Sequence, residues 1–296
     1  MNDGVTPRAF TWDDVPALHA LVARWQTHTG IRIHLGDMYW TLRATPSGDA
    51  MGSMWAWPVG RGGDLAAVAW FDGPESTDFI LAPDAPHELL AAVLDRIEHE
   101  RRRSGGATVS IVIRHGDADR MEELTSRGYD RGETGDVRLH RRLDAEPTAA
   151  PLPDGFAVRH VDGADDIERR VEVERASFGG APTPEVWHDM IARLPEYRPE
   201  LDLVVLAPDG SGAAAITCWF DSSSRHAEIE AVGTIPSMRQ LGLGKALITE
   251  GLRRLSHLGA TEVALYTNIG NVASLELYRS CGFEVVAQDY AYRRTL

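Results

Sequence analysis

Three groups of residues in the second half of this 296-residue chain have types and spacing that could do chemistry. The first is Arg239-x-x-Gly242-x-Gly244-Lys245. It follows an apolar stretch containing Ile229, Val232 and Ile235, which Pro236 ends because proline has no N–H to give a sheet ladder. After the glycines, Ala246, Leu247, Leu252 and Leu255 recur at helical spacing. Strand, glycine turn and helix start together aim unpaired backbone N–H groups at one point, where the helix dipole favours an anion. The stretch Val232, Gly233, Thr234, then Arg239, Gln240, Leu241, Gly242, Leu243, Gly244 and Lys245, therefore reads as a phosphate cradle. The second group is Glu228 and Glu230, which strand alternation places on one face with Val232 and Thr234. The third is Asn271 and Tyr278, two helical turns apart and able to face one cleft.

Other glycine loops do not fit. A Walker loop needs a glycine where Arg239 stands and Ser or Thr after the lysine, where Ala246 stands. A dinucleotide loop needs a third glycine, and Leu247 occupies that place. Cys281 lies in the Gly282-Phe283 turn and is expected to be structural. His226, on a turn, is expected to be exposed and is a remote candidate for proton transfer.

The elements that must hold these groups follow from periodicity. In the second half, strands are expected over 156–160, 201–207, 213–220, 227–235, 262–267 and 284–294. Helices are expected over 165–177, 183–194, 245–258 and 272–280. The first half shows helices over 12–27, 89–99 and 120–126, and strands over 65–71, 79–81, 108–113 and 136–143. Between the halves runs Asp144 to Gly155, with three prolines and small residues, the best linker in the chain. The expected division is 1–145, a linker 146–155, and 156–296. Tyr39, Trp40, Met51, Met54, Trp55 and Trp57 form an aromatic and methionine-rich stretch that reads as core or interdomain packing, with an acceptor-pocket wall as the sharper alternative.

The halves echo each other. Ala66 to Asp72 matches Ala214 to Asp221, and Ser126-Arg-Gly-Tyr129 matches Ser280-Cys-Gly-Phe283. Laying Gly128 on Gly282 puts Asp117 on Asn271 and Leu124 on Tyr278. A duplicated α/β (α+β) fold is expected, each copy a mixed, mostly antiparallel twisted sheet flanked by helices. The first copy has prolines at the corresponding strand end, Pro83 and Pro86, but no glycine loop.

Composition narrows the function. With 43% hydrophobic and 25% charged residues the chain is of ordinary globular type, and no apolar run reaches membrane-spanning length. A net charge of −14 argues against nucleic acid and anionic membranes and is compatible with a cationic amine substrate. Arg101-Arg102-Arg103 reads as a solvated helix end. Two cysteines make neither a disulfide framework nor a metal cluster, and Met1 to Gly4 lacks the basic start of a signal peptide, so a reduced, cytoplasmic setting is expected.

The loop resembles the acyl-CoA pyrophosphate loop, [Q/R]-x-x-G-x-[G/A], of the GCN5-related N-acetyltransferase (GNAT) superfamily. Asn271-x-Ala273-Ser274-x-x-Leu277-Tyr278-x-x-x-Gly282-Phe283 resembles that family's C-terminal motif, N-x-x-A-x-x-L-Y-x-x-x-G-F. The resemblance is specific over about 215–285. It implies tandem GNAT-like domains with a degenerate first copy, as in mycothiol-synthase-type members. It also implies acetyl-CoA as co-substrate, no metal, and direct transfer to a small-molecule amine through a ternary complex. By the same resemblance, Asn271 contacts the pantetheine arm, Tyr278 protonates the departing thiolate, a backbone N–H at Val232 or Thr234 faces the oxyanion, and Glu230 or Glu228 is the base. Acceptors of the mycothiol-precursor type (a cysteinyl pseudo-disaccharide), antibiotics, or a protein amine are alternatives, and a non-catalytic acyl-CoA sensor is a further one. A monomer or homodimer is expected.

Overall fold

The computed structural model describes residues 6–29, 54–59, 63–71, 75–114, 117–132, 135–180, 183–191, 194 and 197–296. Tyr39, Trp40 and Met51 lie outside these residues. In chain order the first half forms β1 (Arg8–Ala9), a short 3₁₀ turn (Trp12–Asp14), α1 (Val15–Thr29), β2 (Met54–Val59), β3 (Asp64–Phe71), β4 (Ser76–Leu81), α2 (His87–Arg103), β5 (Thr108–Arg114), α3 (Ala118–Ser126), β6 (Asp130–Arg131) and β7 (Asp136–Arg142). The second half forms β8 (Ala157–His160), α4 (Ala164–Phe178), α5 (Pro184–Ile191), β9 (Asp202–Leu206), β10 (Gly212–Asp221), β11 (His226–Thr234), α6 (Leu243–His257), β12 (Glu262–Asn268), α7 (Val272–Ser280) and β13 (Glu284–Thr295).

The strands make one sheet, ordered β1-β2-β3-β4-β5-β13-β7-β12-β11-β10-β9-β8, with β6 beside β13. The two halves trade their last strands. β7 lies between β12 and the start of β13, through pairs such as Leu265↔Leu139 and Val285↔Leu139. The rest of β13, Asp289 to Thr295, pairs with β5 of the first half. Each half's sheet is thus completed by a strand from the other.

Period-two patterning sorts the strand residues between two faces. Met54, Ala56, Val68, Trp70 and Ile80 join Leu18, Leu21 and Val22 of α1, and the same cluster runs on to Ile167 and Val171 of α4, Trp187 and Trp219. On the opposite face Trp55, Trp57, Ala67, Phe79 and Ile111 pack under α2. Trp55 and Trp57 are therefore core residues, each buried. In the second half Leu247, Ile248, Leu252 and Leu255 of α6 are all fully buried, each worth roughly 1.5–3 kcal/mol on folding.

The basic run at the end of α2 differs from its expectation. Arg102 and Arg103 are exposed and pair with Glu98 and Glu100. Arg101 is instead buried, its guanidinium 4.4 Å from the centre of the Phe71 ring. An arginine's long apolar stem and flat head make that burial possible where a lysine would return to water.

No helix among the described residues is long and apolar enough to cross a membrane.

Candidate active site

The sheet opens at one place in the second half. β11 and β12 pair in parallel only at His226↔Glu262, Ala227↔Val263 and Glu228↔Ala264. Beyond Glu228 the two strands make no further pairs, and every residue from Glu230 to Thr234 is half-buried although the strand is central. A split of this kind leaves backbone N–H and C=O groups at the centre of a sheet available to a ligand.

A bulge sits at the fork. Ile216 faces Val232 and Cys218 faces Ile229, so Thr217 alone opposes both Glu230 and Ala231. The extra residue shifts the phase of the strand. Ile229 and Val232 consequently point to the side of Cys218, whose sulfur lies against Gly251 of α6. Glu228 points to the other side, opposite Trp219. The expected common face of Glu228, Glu230, Val232 and Thr234 is thus overturned, because an unbroken alternation was assumed where the strand is bulged. The backbone of Glu230 is held by the Trp219 indole, whose Nε1 donates to its carbonyl at 3.1 Å.

The loop after β11 winds a tight path into α6. Gln240 has φ of 65° and Gly242 has φ of 82°, both left-handed. Gly242 is the residue at the helix start, and the first helical bond runs from Ala246 N–H to its carbonyl at 3.0 Å. The N–H groups of Leu243, Gly244 and Lys245 therefore have no carbonyl within the helix. A Cβ at Gly244 would sit 3.2 Å from Leu277 of α7 and 3.7 Å from Thr234 Oγ1, so the helix start, the end of β11 and α7 converge there. Arg239 donates from Nε to the Thr234 carbonyl at 3.2 Å, which ties the loop to the end of the strand.

α7 brings the third group. Asn271 is its cap, accepting from Ser274 N–H at 3.2 Å through its side-chain oxygen. Its amide nitrogen is the part left for a ligand. Tyr278, two turns on, is buried. Burial and the Glu230 carboxylate push the Tyr278 phenol well above its ordinary range, and a side-chain hydrogen bond with Ser274 works in the other direction. The phenol is thus a proton donor at neutral pH, and the Glu230 carboxylate is close enough to act on it. Glu228, by contrast, is buried opposite Trp219.

His226 is not exposed as expected. It is buried, its ring 6.2 Å from that of His140, whose Nδ1 lies 3.0 Å from Glu262. The strand begins one residue earlier than its periodicity suggested, so His226 falls inside the sheet. Cys281 is buried in its turn, and burial raises its thiol pKa, which suits a structural role.

Sequence reasoning missed a buried polar network behind the bulge. Arg170 of α4 donates to Asp202 at 3.2 Å and to Thr217 Oγ1 at 2.9 Å, and also pairs with Glu174. Thr217 and Tyr197 donate to the two oxygens of Asp202 at 3.1 and 3.0 Å. Arg170 also lies 4.3 Å from the centre of the Trp187 ring. The end of α4 closes on β11, where a Cβ at Gly233 would meet Ser177 at 2.8 Å and Phe178 at 3.0 Å. A charge three or four residues from another on a predicted helix, as Arg170 and Glu174 are, was the available signal. It reads equally as a surface pair until Asp202 is placed beneath it.

The chain can now be set beside known proteins. The profile of the acetyltransferase (GNAT) family matches residues 170–283. The mycothiol acetyltransferase of Kineococcus radiotolerans is 34% identical over 218 residues, which cover 66% of this chain and 68% of that protein. That of Geodermatophilus obscurus is 30% identical over 251 residues, covering 78% and 79%. Among solved structures, a tandem GNAT protein from the clavulanic acid biosynthesis pathway superposes with a TM-score of 0.69 at 16% identity, covering 98% of this chain and 97% of that one. A GCN5-related N-acetyltransferase from Sphaerobacter thermophilus gives 0.66 at 21% identity, covering 100% and 96%. The chain belongs to the acetyltransferase (GNAT) family, as an acetyltransferase built from two tandem copies of that fold, with the family profile falling on the second.

Proposed function

We propose that the second half, 156–296, binds acetyl-CoA in the split between β11 and β12 and passes its acetyl group to the primary amine of a small polar acceptor. The observation that carries this reading is the convergence of three groups on one split: the unpaired N–H groups at the start of α6, the half-buried end of β11, and the coupled pair Glu230 and Tyr278. The first half, 1–145, has no glycine loop and is a supporting copy, joined by the linker 146–155.

The chemistry then follows from what these residues offer. The N–H groups of Leu243, Gly244 and Lys245, with Arg239, Gln240 and Leu241 in the turn, receive the pyrophosphate of the co-substrate. The amide of Asn271 faces its pantetheine arm. The acceptor amine must be neutral to attack the thioester carbonyl, and Glu230 takes its proton directly or through water. A backbone N–H at Val232 or Thr234 faces the oxyanion that forms. As the new N–C bond closes and the C–S bond breaks, Tyr278 gives its proton to the sulfur. Glu228, the other carboxylate of β11, is the alternative base or a holder of the acceptor's cation.

Relatives named mycothiol acetyltransferase favour an acceptor of the mycothiol-precursor type, an amine on a cysteinyl pseudo-disaccharide. Calorimetric titration with acetyl-CoA, followed by a panel of amines assayed for CoA release, tests the reading. One acetyl-CoA site per chain with turnover on a cysteinyl amino sugar is the expected result. Binding without turnover on any amine returns the chain to the acyl-CoA sensor class, and two sites per chain would mean that the first half also binds.

A further inference from the structure

The two halves share one hairpin, and they differ in it at the candidate site. In the first half β3 and β4 pair without a break, through Ala67↔Leu81, Val68↔Ile80, Ala69↔Phe79 and Trp70↔Asp78. The next N–H, of Ala82, bonds to the Ala66 carbonyl just before Pro83. In the second half the same frame runs from Trp219↔Glu228 to Ala214↔Thr234. There the N–H of Ile235 bonds to the Ala213 carbonyl just before Pro236. Both tryptophans open a Trp-Phe-Asp tripeptide.

Between these matching ends the second half holds extra chain. Ala69 and Trp70 are consecutive, whereas Thr217 and Cys218 stand between Ile216 and Trp219. Asp78 and Phe79 are consecutive, whereas Ile229, Glu230 and Ala231 stand between Glu228 and Val232. Two inserted residues thus face three, and the mismatch is the bulge. Ile235 donates toward β10, so the N–H groups of Thr234 and Val232 turn the other way, into the split.

The insert is held from beneath by buried polar groups. Thr217 donates to Asp202 at 3.1 Å and accepts from Arg170 at 2.9 Å. Asp202 also accepts from the Tyr197 hydroxyl at 3.0 Å, and the Tyr197 ring meets Trp219 edge-on at 6.3 Å. Trp219 in turn donates to the Glu230 carbonyl at 3.1 Å. Two arms therefore leave Asp202, and both end on the insert. One reaches the residue opposite the bulge, and the other reaches the backbone of the bulge itself. The corresponding face of the first half is apolar: α1 sets Leu18, Leu21 and Val22 against Val68 and Trp70. Buried ions are a costly way to hold a sheet that apolar side chains hold equally well. Among the described residues they lie under the hairpin that has the bulge and not under the one that lacks it.

We propose that Thr217 and Trp219 are positioning residues. They hold Ile229-Glu230-Ala231 in its bulged course, and with it the Glu230 carboxylate and the Val232 N–H in the split. Neither touches a reacting atom. The proposal rests on the acetyltransferase reading above and assigns the buried network a part in the reaction as well as in stability.

The test uses the full-length protein, acetyl-CoA and the amine of the panel that turns over best. Thr217→Val keeps the shape and loses the hydroxyl, Thr217→Ser keeps the hydroxyl, and Trp219→Phe keeps a ring and loses the indole N–H. Tyr129→Phe removes a buried hydroxyl that donates to Glu98 at 3.1 Å in the first half, and serves as the control for a packing defect alone. Thr217→Val and Trp219→Phe should each lower kcat about tenfold, as small misplacements of reacting groups do, and leave the calorimetric Kd of acetyl-CoA within about twofold. Thr217→Ser should return kcat to within about twofold of wild type, and Tyr129→Phe should leave it unchanged whatever it costs in melting temperature. Amide hydrogen exchange gives a second readout that needs no acceptor. Residues 229–232 should exchange about tenfold faster in Thr217→Val, with protection restored in Thr217→Ser and β12 unaffected. Should Thr217→Val fail to fold, Trp219→Phe carries both readouts. Unchanged kcat in a folded Thr217→Val or Trp219→Phe protein, unaltered exchange at 229–232, or an equal loss of kcat in Tyr129→Phe overturns the proposal. A wild-type protein that turns over no amine, with exchange responding as expected, would instead sink the acetyltransferase reading and leave the hold on the bulge standing.

Discussion

Asn271 and Asp117 do the same work in the two halves. Each caps the helix that follows by accepting from the backbone N–H three residues on, at 3.2 Å to Ser274 and 3.3 Å to Arg120. Two turns beyond each cap a side chain enters the core, and there the halves part: Tyr278 in the second, Leu124 in the first. The frame was kept in both copies and the chemical groups in one. A leucine fills the space of a phenol ring but offers no proton.

That contrast sets the first prediction. Tyr278→Phe keeps the ring and removes only the hydroxyl, so packing against Phe283, 6.3 Å away between ring centres, is retained. The variant should melt close to wild type while kcat falls roughly a hundredfold, the ordinary worth of a positioned proton donor. The acetyl-CoA KM should be little changed. Steady-state kinetics with the best amine of the panel decides it, and an unchanged kcat would leave the thiolate to depart unaided.

The coupling of Glu230 to Tyr278 gives a second. Glu230→Gln removes the charge that helps hold the phenol up, so the phenol should titrate at lower pH than in wild type, by ultraviolet difference spectroscopy. The same change should cost kcat/KM on the order of a hundredfold at neutral pH if Glu230 is the base. Glu228→Gln, whose carboxylate does not act on the phenol, should leave the phenol where it is. If Glu228→Gln alone abolishes turnover, the base has been assigned to the wrong carboxylate.

The glycine loop gives a third. Gly244→Leu sets a side chain against Leu277 and Thr234, within the turn that carries the unpaired N–H groups. Losing two hydrogen bonds to a charged phosphate, each worth about 1.5–3 kcal/mol, weakens acetyl-CoA by roughly a hundredfold or more. Titration calorimetry measures this directly. Normal binding by a folded Gly244→Leu protein would move the cradle elsewhere.

Behind the site, Arg170 is fully enclosed with Asp202 and Glu174. Arg170→Ala leaves two buried carboxylates without their cation, and removal of one partner from such a network costs about 3–5 kcal/mol. Urea unfolding should show that loss. Arg170→Lys, which restores charge but not the fork that reaches both Asp202 and Thr217, should recover only part.

How much of this could be read from the sequence depends on the range of the interaction. Gly242, Gly244, Asn271 and Tyr278 announce themselves because helix starts and helix faces are local, and spacing along the chain fixes them. The repeat was legible for the same reason, in Gly128 and Gly282, which both take a left-handed turn after a helix. What was not legible is non-local. Nothing in 136–142 says that β7 will cross into the other half's sheet, since its alternation suits either edge. The bulge at Glu230 depends on Thr217 of the facing strand, so strict alternation wrongly put Glu228 on the face of Val232 and Thr234. Arg170 has the composition of a surface helix residue, and only the placement of Asp202 buries it.

Asp78 makes a last prediction that needs no substrate. Its carboxyl is raised to about 7 in the folded protein, against about 3.9 for an unfolded aspartate. Between those values the folded state holds a proton that the unfolded state has lost, so the group favours folding below the lower value and that support disappears as pH rises through 7. Wild-type stability should therefore decline from pH 5 to pH 8 more steeply than that of Asp78→Asn, whose amide does not titrate. At pH 8 the variant should be the more stable of the two, because it no longer buries a charge. Urea midpoints at the two pH values test both statements together. Equal slopes would mean that Asp78 is solvated in the folded protein.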